Sequence, residues 1–588
     1  CSRSPYPNIE ILARGVEHRS MGLFHLTLFG LLLCSLPISL VAKFPESVGH
    51  KILYISTQST QQALATYLEA LDAYGDHDFF VLRKIGEDYL KQSIHSSDPQ
   101  TRKSTIIGAG LAGSSEALDV LSQAMETADP LQQLLVLSAV SGHLGKTSDD
   151  LLFKALASPY PVIRLEAAYR LANLKNTKVI DHLHSFIHKL PEEIQCLSAA
   201  IFLRLETEES DAYIRDLLAA KKSAIRSATA LQIGEYQQKR FLPTLRNLLT
   251  SASPQDQEAI LYALGKLKDG QSYYNIKKQL QKPDVDVTLA AAQALIALGK
   301  EEDALPVIKK QALEERPRAL YALRHLPSEI GIPIALPIFL KTKNSEAKLN
   351  VALALLELGC DTPKLLEYIT ERLVQPHYNE TLALSFSKGR TLQNWKRVNI
   401  IVPQDPQERE RLLSTTRGLE EQILTFLFRL PKEAYLPCIY KLLASQKTQL
   451  ATTAISFLSH TSHQEALDLL FQAAKLPGEP IIRAYADLAI YNLTKDPEKK
   501  RSLHDYAKKL IQETLLFVDT ENQRPHPSMP YLRYQVTPES RTKLMLDILE
   551  TLATSKSSED IRLLIQLMTE GDAKNFPVLA GLLIKIVE

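Results

Sequence analysis

Apolar and polar positions alternate along this chain with a helical period, and the pattern itself repeats. Stepping by 31 residues from Arg164 in both directions gives Arg102, Gln133, Arg164, Gln195, Arg226, Gln257 and Thr288. Four residues after each of these anchors stand Ile106, Leu137, Ala168, Ala199, Ala230, Leu261 and Ala292. Seven residues after stand Ala109, Val140, Leu171, Phe202, Ile233, Leu264 and Leu295. Both columns are wholly apolar, and their spacing of three keeps them on one helix face. The stretch ASPYPVIRLEAAYRLANLK, from Ala157 to Lys175, is the clearest copy, with Ile163, Ala167, Ala168, Leu171 and Leu174 on one stripe. The abundance of Ala in the first column has a physical use, because a small side chain lets the next helix approach closely.

The register drifts further on but persists at Arg316, Lys348, Glu420, Leu450 and Arg483, giving twelve candidate repeats. Each is followed by a second apolar helix, as in SEALDVLSQAM from Ser115, DAYIRDLLAA from Asp211, FLPTLRNLL from Phe241, PKLLEYITERL from Pro363 and EALDLLFQAA from Glu465. Asp98 before Pro99, Asp129 before Pro130 and Ser253 before Pro254 each read as a cap followed by a first-turn proline. Repetition at this period marks an array in which one helical hairpin cannot bury its own stripe and neighbours bury it instead.

On the segments PVIRLEAAYRLANL, SAIRSATALQIG, PQDQEAILYALGKLKD, VDVTLAAAQALIALG and EAKLNVALALLELG, the unit resembles the HEAT repeat, in the short form of bacterial proteins and of the bilin-lyase-like subgroup. The resemblance implies an all-α fold, an α-solenoid or HEAT/armadillo-like superhelix, and a binding or scaffolding role. The family often places Asp in the turn and Arg at the anchor. Arg stands at only some anchors here, so a continuous Asp–Arg ladder is not expected.

The rest of the chain is read against this array of 96–375 and 417–515. Residues 44–95 contain two amphipathic patterns and are expected to form an N-terminal helical cap, and 540–588 a C-terminal one. Residues 516–539 hold the prolines of RPHPSMP and read as a Pro-rich loop. The insertion 376–416 has strand-like character in ETLALSF and WKRVNIIV around SKGR, so a small β-like hairpin is expected there. It carries the only Trp, Trp395, with Lys388, Arg390, Lys396 and Arg397 nearby. Long insertions in regular arrays are often functional, and these five residues are the candidate partner-binding group. A hairpin packed on the array edge with Trp395 buried is the competing reading.

Residues 21–42 form an apolar run ending at Ala42, which reads as a signal peptide cleaved before Lys43 or as an uncleaved membrane anchor. A lipoprotein box at Cys34 fits poorly, because Leu33 precedes it. Residues 1–20 are an upstream segment that does not begin with Met. Either main reading makes the protein exported, periplasmic or secreted, with membrane contact only through 21–42.

A net charge of +1, from 68 basic and 67 acidic residues, supplies no global field toward nucleic acid. Five cysteines lack any CxxC or metal spacing. No GxSxG, P-loop, HExxH or His-Glu dipeptide occurs, so no catalytic, cofactor or metal residues are assigned. His182, His184 and His188 are close in sequence, and the latter two could share a helix face, but a third ligand is not evident. Glu- and Lys-rich KDPEKKRSLHDYAKK reads as a solvated helix face. The expectation is a non-enzymatic scaffold that binds protein partners through its concave face and the 376–416 insertion. A membrane-tethered assembly factor and a lyase-type enzyme or accessory subunit are the alternatives.

Overall fold

In the computed structural model, residues 44–374, 423–517 and 538–587 are described, apart from 128, 141–145, 191, 446–447, 462 and 477–478. The regular elements among them are helices. The insertion 376–416, the expected hairpin within it, and the segment 21–42 lie outside the described residues, as does most of the Pro-rich loop. No helix among the described residues is long and apolar enough to cross a membrane. The chain divides into two compact units, Arg164–Thr461 and a second formed by residues up to Ile163 together with those from Ser462.

The 31-residue comb is a comb of first helices, including Pro161–Asn173, Glu192–Leu205, Ser223–Glu235, Pro254–Lys266 and Val285–Ala297. Their apolar columns are buried: Ala168, Leu171, Ala199, Phe202, Leu261, Leu264, Ala292 and Leu295 are all fully shielded. Leu174 departs from the expected stripe and is half exposed, because the helix has already ended at Asn173. The five second helices noted above form where expected.

The anchors prove to be donors. Arg102 bonds the carbonyls of Ser96 and Ser97, Gln133 those of Met125 and Thr127, and Gln195 that of Leu190. Arg226 bonds Ala220 and Lys221, and Thr288 bonds Lys282. A helix end leaves carbonyls without partners, and each anchor reaches back to satisfy those before its own helix. Arg, Gln and Thr interchange because the position needs only a donor of suitable reach. Arg164 differs, placing its guanidinium 4.1 Å from the Phe186 ring centroid. Arg226 also meets the next repeat at Asp256, 2.6 Å away. Burial raises the Asp256 pKa, and bonds from Arg226, Ser253, Ser223 and Ser227 more than reverse this, so it stays lowered.

A third column emerges at the helix ends. Gly113, Lys175, Glu206, Gln237, Lys268, Gly299 and Gly359 all have positive φ and all stand eleven residues after an anchor or its drifted equivalent. The next N–H closes the end by bonding a carbonyl five residues back, as Asn176 does to Leu171, Gln238 to Ile233, Asp269 to Leu264 and Lys300 to Leu295. This is the Schellman closure, which favours glycine but here holds Lys175, Gln237 and Lys268; after Glu206 the Thr207 N–H instead donates to the Ser210 hydroxyl as part of the next helix's capping box.

Within Arg164–Thr461 the first helices approach one another at small residues. A Cβ on Gly234 would lie 2.9 Å from the Ala263 Cα, and one on Gly265 2.9 Å from the Ala294 Cα. The first helices therefore stack as a tight layer, whereas second helices chiefly meet their own partners and the adjoining first helices.

In the other unit the first and last described segments build one core. Residues 44–95 form three helices rather than two: Thr60–Tyr74 and Phe79–Ser93 as expected, and also Glu46–Ser56. The extra helix has β-branched and aromatic residues but is held by burial of Gly49, Ile52 and Ser56, so packing overrides its weak propensity. The last helix, Phe576–Val587, lies against Phe79–Ser93 and Pro99–Ala112. Its Gly581 meets Gly108 backbone to backbone, and Asn575 holds its start by donating to Ile511 and Thr514. The Lys-rich helix Pro497–Leu510 has the expected solvated face, with Glu498, Arg501, Asp505, Lys508 and Lys509 exposed, and a second face that turns inward: Lys499 pairs with Asp487 at 2.7 Å, and Lys500 and His504 pair with fully buried Asp560 at 2.7 and 2.6 Å.

Candidate interaction face

The candidate residues Lys388, Arg390, Trp395, Lys396 and Arg397 lie outside the described residues. The described face with the most developed side-chain chemistry is the solvent side of the first-helix layer in Arg164–Thr461. Positions five and nine after an anchor are four apart, so they share one face of each helix. Position five carries Tyr169, Tyr262 and Tyr321, and position nine carries Arg204, Glu235, Lys266, His325 and Glu357. Stacking of successive helices sets these side chains in a row.

The row is tied across repeats by aromatic–cation contacts. The Arg204 guanidinium sits 4.2 Å from the ring centroids of both Tyr169 and Tyr236, which belong to the repeats on either side. It donates to the Tyr169 hydroxyl at 2.6 Å and to the Ala200 carbonyl at 2.8 Å. Farther along, the Tyr262 hydroxyl bonds Glu235, and Lys266 lies 5.5 Å from the Tyr262 ring and 3.9 Å from Glu235. Burial raises the pKa of Tyr262, and the Glu235 carboxylate adds to this. Burial likewise pushes Tyr169 up to about 12, so both phenols are neutral near pH 7, Tyr262 donating to Glu235 and Tyr169 accepting from Arg204. The row continues with Arg324, 4.8 Å from Tyr321 and 5.9 Å from Phe426.

Arg324 is the most unusual charge on this unit. Its side chain is 2 % exposed, and its nearest carboxylate is Glu357 at 3.6 Å. Its Nε and Nη2 have no hydrogen-bond partner among the described residues. Desolvation lowers its pKa, and the rings of Tyr321 and Phe426 provide the compensating contact. The neighbouring His325 packs edge-on to Tyr321 and has protein crowded about its ring, though part of the residue remains open to solvent. Desolvation first, then the positive charges of Arg324 and Lys266, hold its pKa below the ordinary value.

Other sequence candidates resolve differently. The helix Val179–His184 ends before His188, so the shared face expected for His184 and His188 does not form. Both rings instead pack on Tyr213, with centroids at 5.3 and 5.8 Å. Among the described residues, Glu258, Asp284 and Asp286 come close enough to hold a cation. Arg318 bridges two of them, lying 3.0 Å from Glu258 and 2.7 Å from Asp286. The group is an ion-pair node joining three successive first helices.

Residues 242–326 match the HEAT repeats family. No curated protein matches the chain. Among solved structures, a homology model of the full-length AP-3 complex in an intermediate open conformation is similar at 12 % identity and a TM-score of 0.29, covering 90 % of this chain and 98 % of that one. A chain from work on a phosphorylation switch controlling the interaction between cadherin and beta-catenin is similar at 13 % identity and a TM-score of 0.22, covering 85 % and 98 %. Similarity at this level carries no functional information. The helical layers and the family match together make this chain an all-α solenoid that contains HEAT repeats over residues 242–326.

Proposed function

We propose that this protein is an exported, non-catalytic scaffold that holds a protein partner along the first-helix face of Arg164–Thr461. The observation that carries this reading is the row of half-buried tyrosines cross-tied to cations, above all Arg204 between Tyr169 and Tyr236. Tyr and Arg dominate the energetics of protein interfaces when they are locked before contact, because little side-chain entropy remains to be lost. The stacked geometry supplies that locking. Export rests on the apolar segment 21–42, and the insertion 376–416 is a second contact in this proposal.

The test is quantitative capture of a protein partner by the full chain and two variants. Tyr262→Ala combined with Arg204→Ala is expected to reduce capture at least tenfold. Tyr274→Ala, at a tyrosine 80 % exposed outside the row, is expected to leave it unchanged. Equal capture by all three proteins would reject the face. Edman sequencing of the mature protein addresses export: a start at Lys43 is expected, and retention of 21–42 would favour the tethered form.

A further inference from the structure

An aromatic surface stands where the chain passes from the apolar run 21–42 into the fold. Phe44 follows Ala42 by two residues and is buried, its ring 5.0 Å from Tyr67 and 5.8 Å from Tyr74. Its amide donates to the Asp78 carboxylate at 3.3 Å. The same carboxylate caps helix Phe79–Ser93 by accepting from the Val81 N–H. The entry at Phe44, the end of helix Thr60–Tyr74 and the start of helix Phe79–Ser93 therefore meet at one tip.

Three rings project from that tip: Tyr74, Phe79 and Phe80 are 49, 37 and 50 % exposed. Phe79 and Phe80 are the only exposed phenylalanines among the described residues. Neighbouring apolar rings left in water mark a contact surface, because covering them recovers free energy. The tip is also held in shape. Phe79 stacks on His77 at 6.3 Å, and His77 meets the Tyr67 hydroxyl at 3.3 Å and the Ser558 carbonyl at 3.2 Å.

Chain length indicates what covers the rings. Two extended residues span at most about 7 Å. The headgroup layer outside the hydrocarbon core of a bilayer is roughly 5–8 Å deep on each side. With 21–42 seated in a bilayer, Phe44 can stand no farther from the hydrocarbon edge than about the depth of this layer. Tyr and Phe rings are favoured there, where the ring is buried and a phenol hydroxyl stays wet. Glu46, Asp72 and Asp76 stand at the same end, Asp72 paired with Arg562 at 2.7 Å. These carboxylates give no attraction to anionic headgroups, so ring burial at a neutral lipid surface is the driving force.

We propose that the Tyr74–Phe79–Phe80 tip seats in the headgroup interface of a neutral phospholipid bilayer, beside the point where 21–42 leaves it. This rests on the export reading of 21–42 and goes beyond it, because a folded surface, and not the apolar run alone, then touches the membrane.

Photo-crosslinking of the full chain reconstituted in phosphatidylcholine vesicles tests this, with a photoreactive phenylalanine placed singly at Tyr74, Phe80, Tyr54 and Gln92. Tyr54 and Gln92 are exposed but lie about 12 Å and about 20 Å along helices Glu46–Ser56 and Phe79–Ser93 from their starts at the tip. Lipid adducts from Tyr74 and Phe80 are expected at least tenfold above those from Tyr54 and Gln92. With the probe at Tyr74, Phe80→Ser should cut the adducts several-fold and Tyr54→Ser should leave them unchanged, circular dichroism confirming that each variant is folded. Equal adducts from all four positions would mean a tether that swings freely, and would overturn the proposal. Adducts from Phe80 to residues 21–42 in place of lipid would assign the rings to that segment and overturn it too. A chain that fails to float with the vesicles removes both this inference and the export reading, whereas a floating chain with a silent tip removes this inference alone.

Discussion

Replacing Gly581 by Ala should loosen the joint between helices Pro99–Ala112 and Phe576–Val587. A Cβ there would lie 2.0 Å from the Gly108 carbonyl oxygen, 2.6 Å from its carbonyl carbon and 2.7 Å from its Cα. All three are backbone atoms, so no rotamer change relieves the overlap and the two helices must separate. Overpacking of this kind costs up to about 3 kcal/mol. Ala in place of a mid-helix Gly returns about 1 kcal/mol of helix propensity. The net loss is about 2 kcal/mol, or roughly a 30-fold rise in the open population at about 1.4 kcal/mol per tenfold. Hydrogen exchange with mass spectrometry reads this locally, without assuming that the whole chain unfolds in one step. Amides of Phe576–Val587 and Pro99–Ala112 should exchange faster by that factor, while those of Val285–Ala297 in the other unit should not change. Gly270→Ala is the control, since a Cβ there meets nothing within 4 Å. Unchanged protection of both helices in Gly581→Ala would refute the reasoning.

Lys268→Gly should stabilise Arg164–Thr461 by about 1 kcal/mol, because Lys268 sits at φ 53° where glycine carries no Cβ penalty; a rise in the urea midpoint checks it. Asp560 gives acid sensitivity of defined sign. Burial raises its pKa, and bonds from His504, Lys500, Ser555 and Ser557 outweigh this and hold it at about 2, against an ordinary 3.8. The depressed value stabilises the fold above pH 4 and the stabilisation is lost as pH falls from about 4 to about 2; about 2 kcal/mol is involved. Asp560→Asn should remove that acid-dependent step in a urea-unfolding series. Asp547 acts in the opposite sense, since burial lifts its pKa to about 6. Its contribution is present below pH 4 and lost as pH rises through 6, so Asp547→Asn should raise stability at pH 7 by up to about 3 kcal/mol and have little effect at pH 4.

The architecture was legible because its determinants repeat. Ala168 and Leu171 recur as apolar columns every 31 residues, and the periodic signal survives the exchange of individual residues. The same comb held the left-handed column, but Lys175, Glu206, Gln237 and Lys268 are not glycine, so residue type alone hid it. The Tyr–Arg row was equally present at positions five and nine, yet each residue taken singly is an ordinary exposed polar position. Its meaning comes from the stacking that sets Arg204 between tyrosines of two other repeats. The contact of Gly581 with Gly108 joins residues far apart in sequence, and no periodicity encodes it. The Lys-rich stretch from Lys495 showed its solvated face but not its inward ion pairs, because the carboxylates Asp487 and Asp560 lie outside it on other helices.

The central claim is that a protein partner lies against the Tyr169–Tyr262–Tyr321 row. Site-specific photo-crosslinking tests it most directly, with a photoreactive phenylalanine placed singly at Tyr262, Tyr321, Tyr274 and Tyr440 in the full chain. The account predicts adducts with one protein from Tyr262 and Tyr321 and none from the exposed Tyr274 and Tyr440. Adducts from Tyr274 or Tyr440 alone, with Tyr262 and Tyr321 silent, would contradict it.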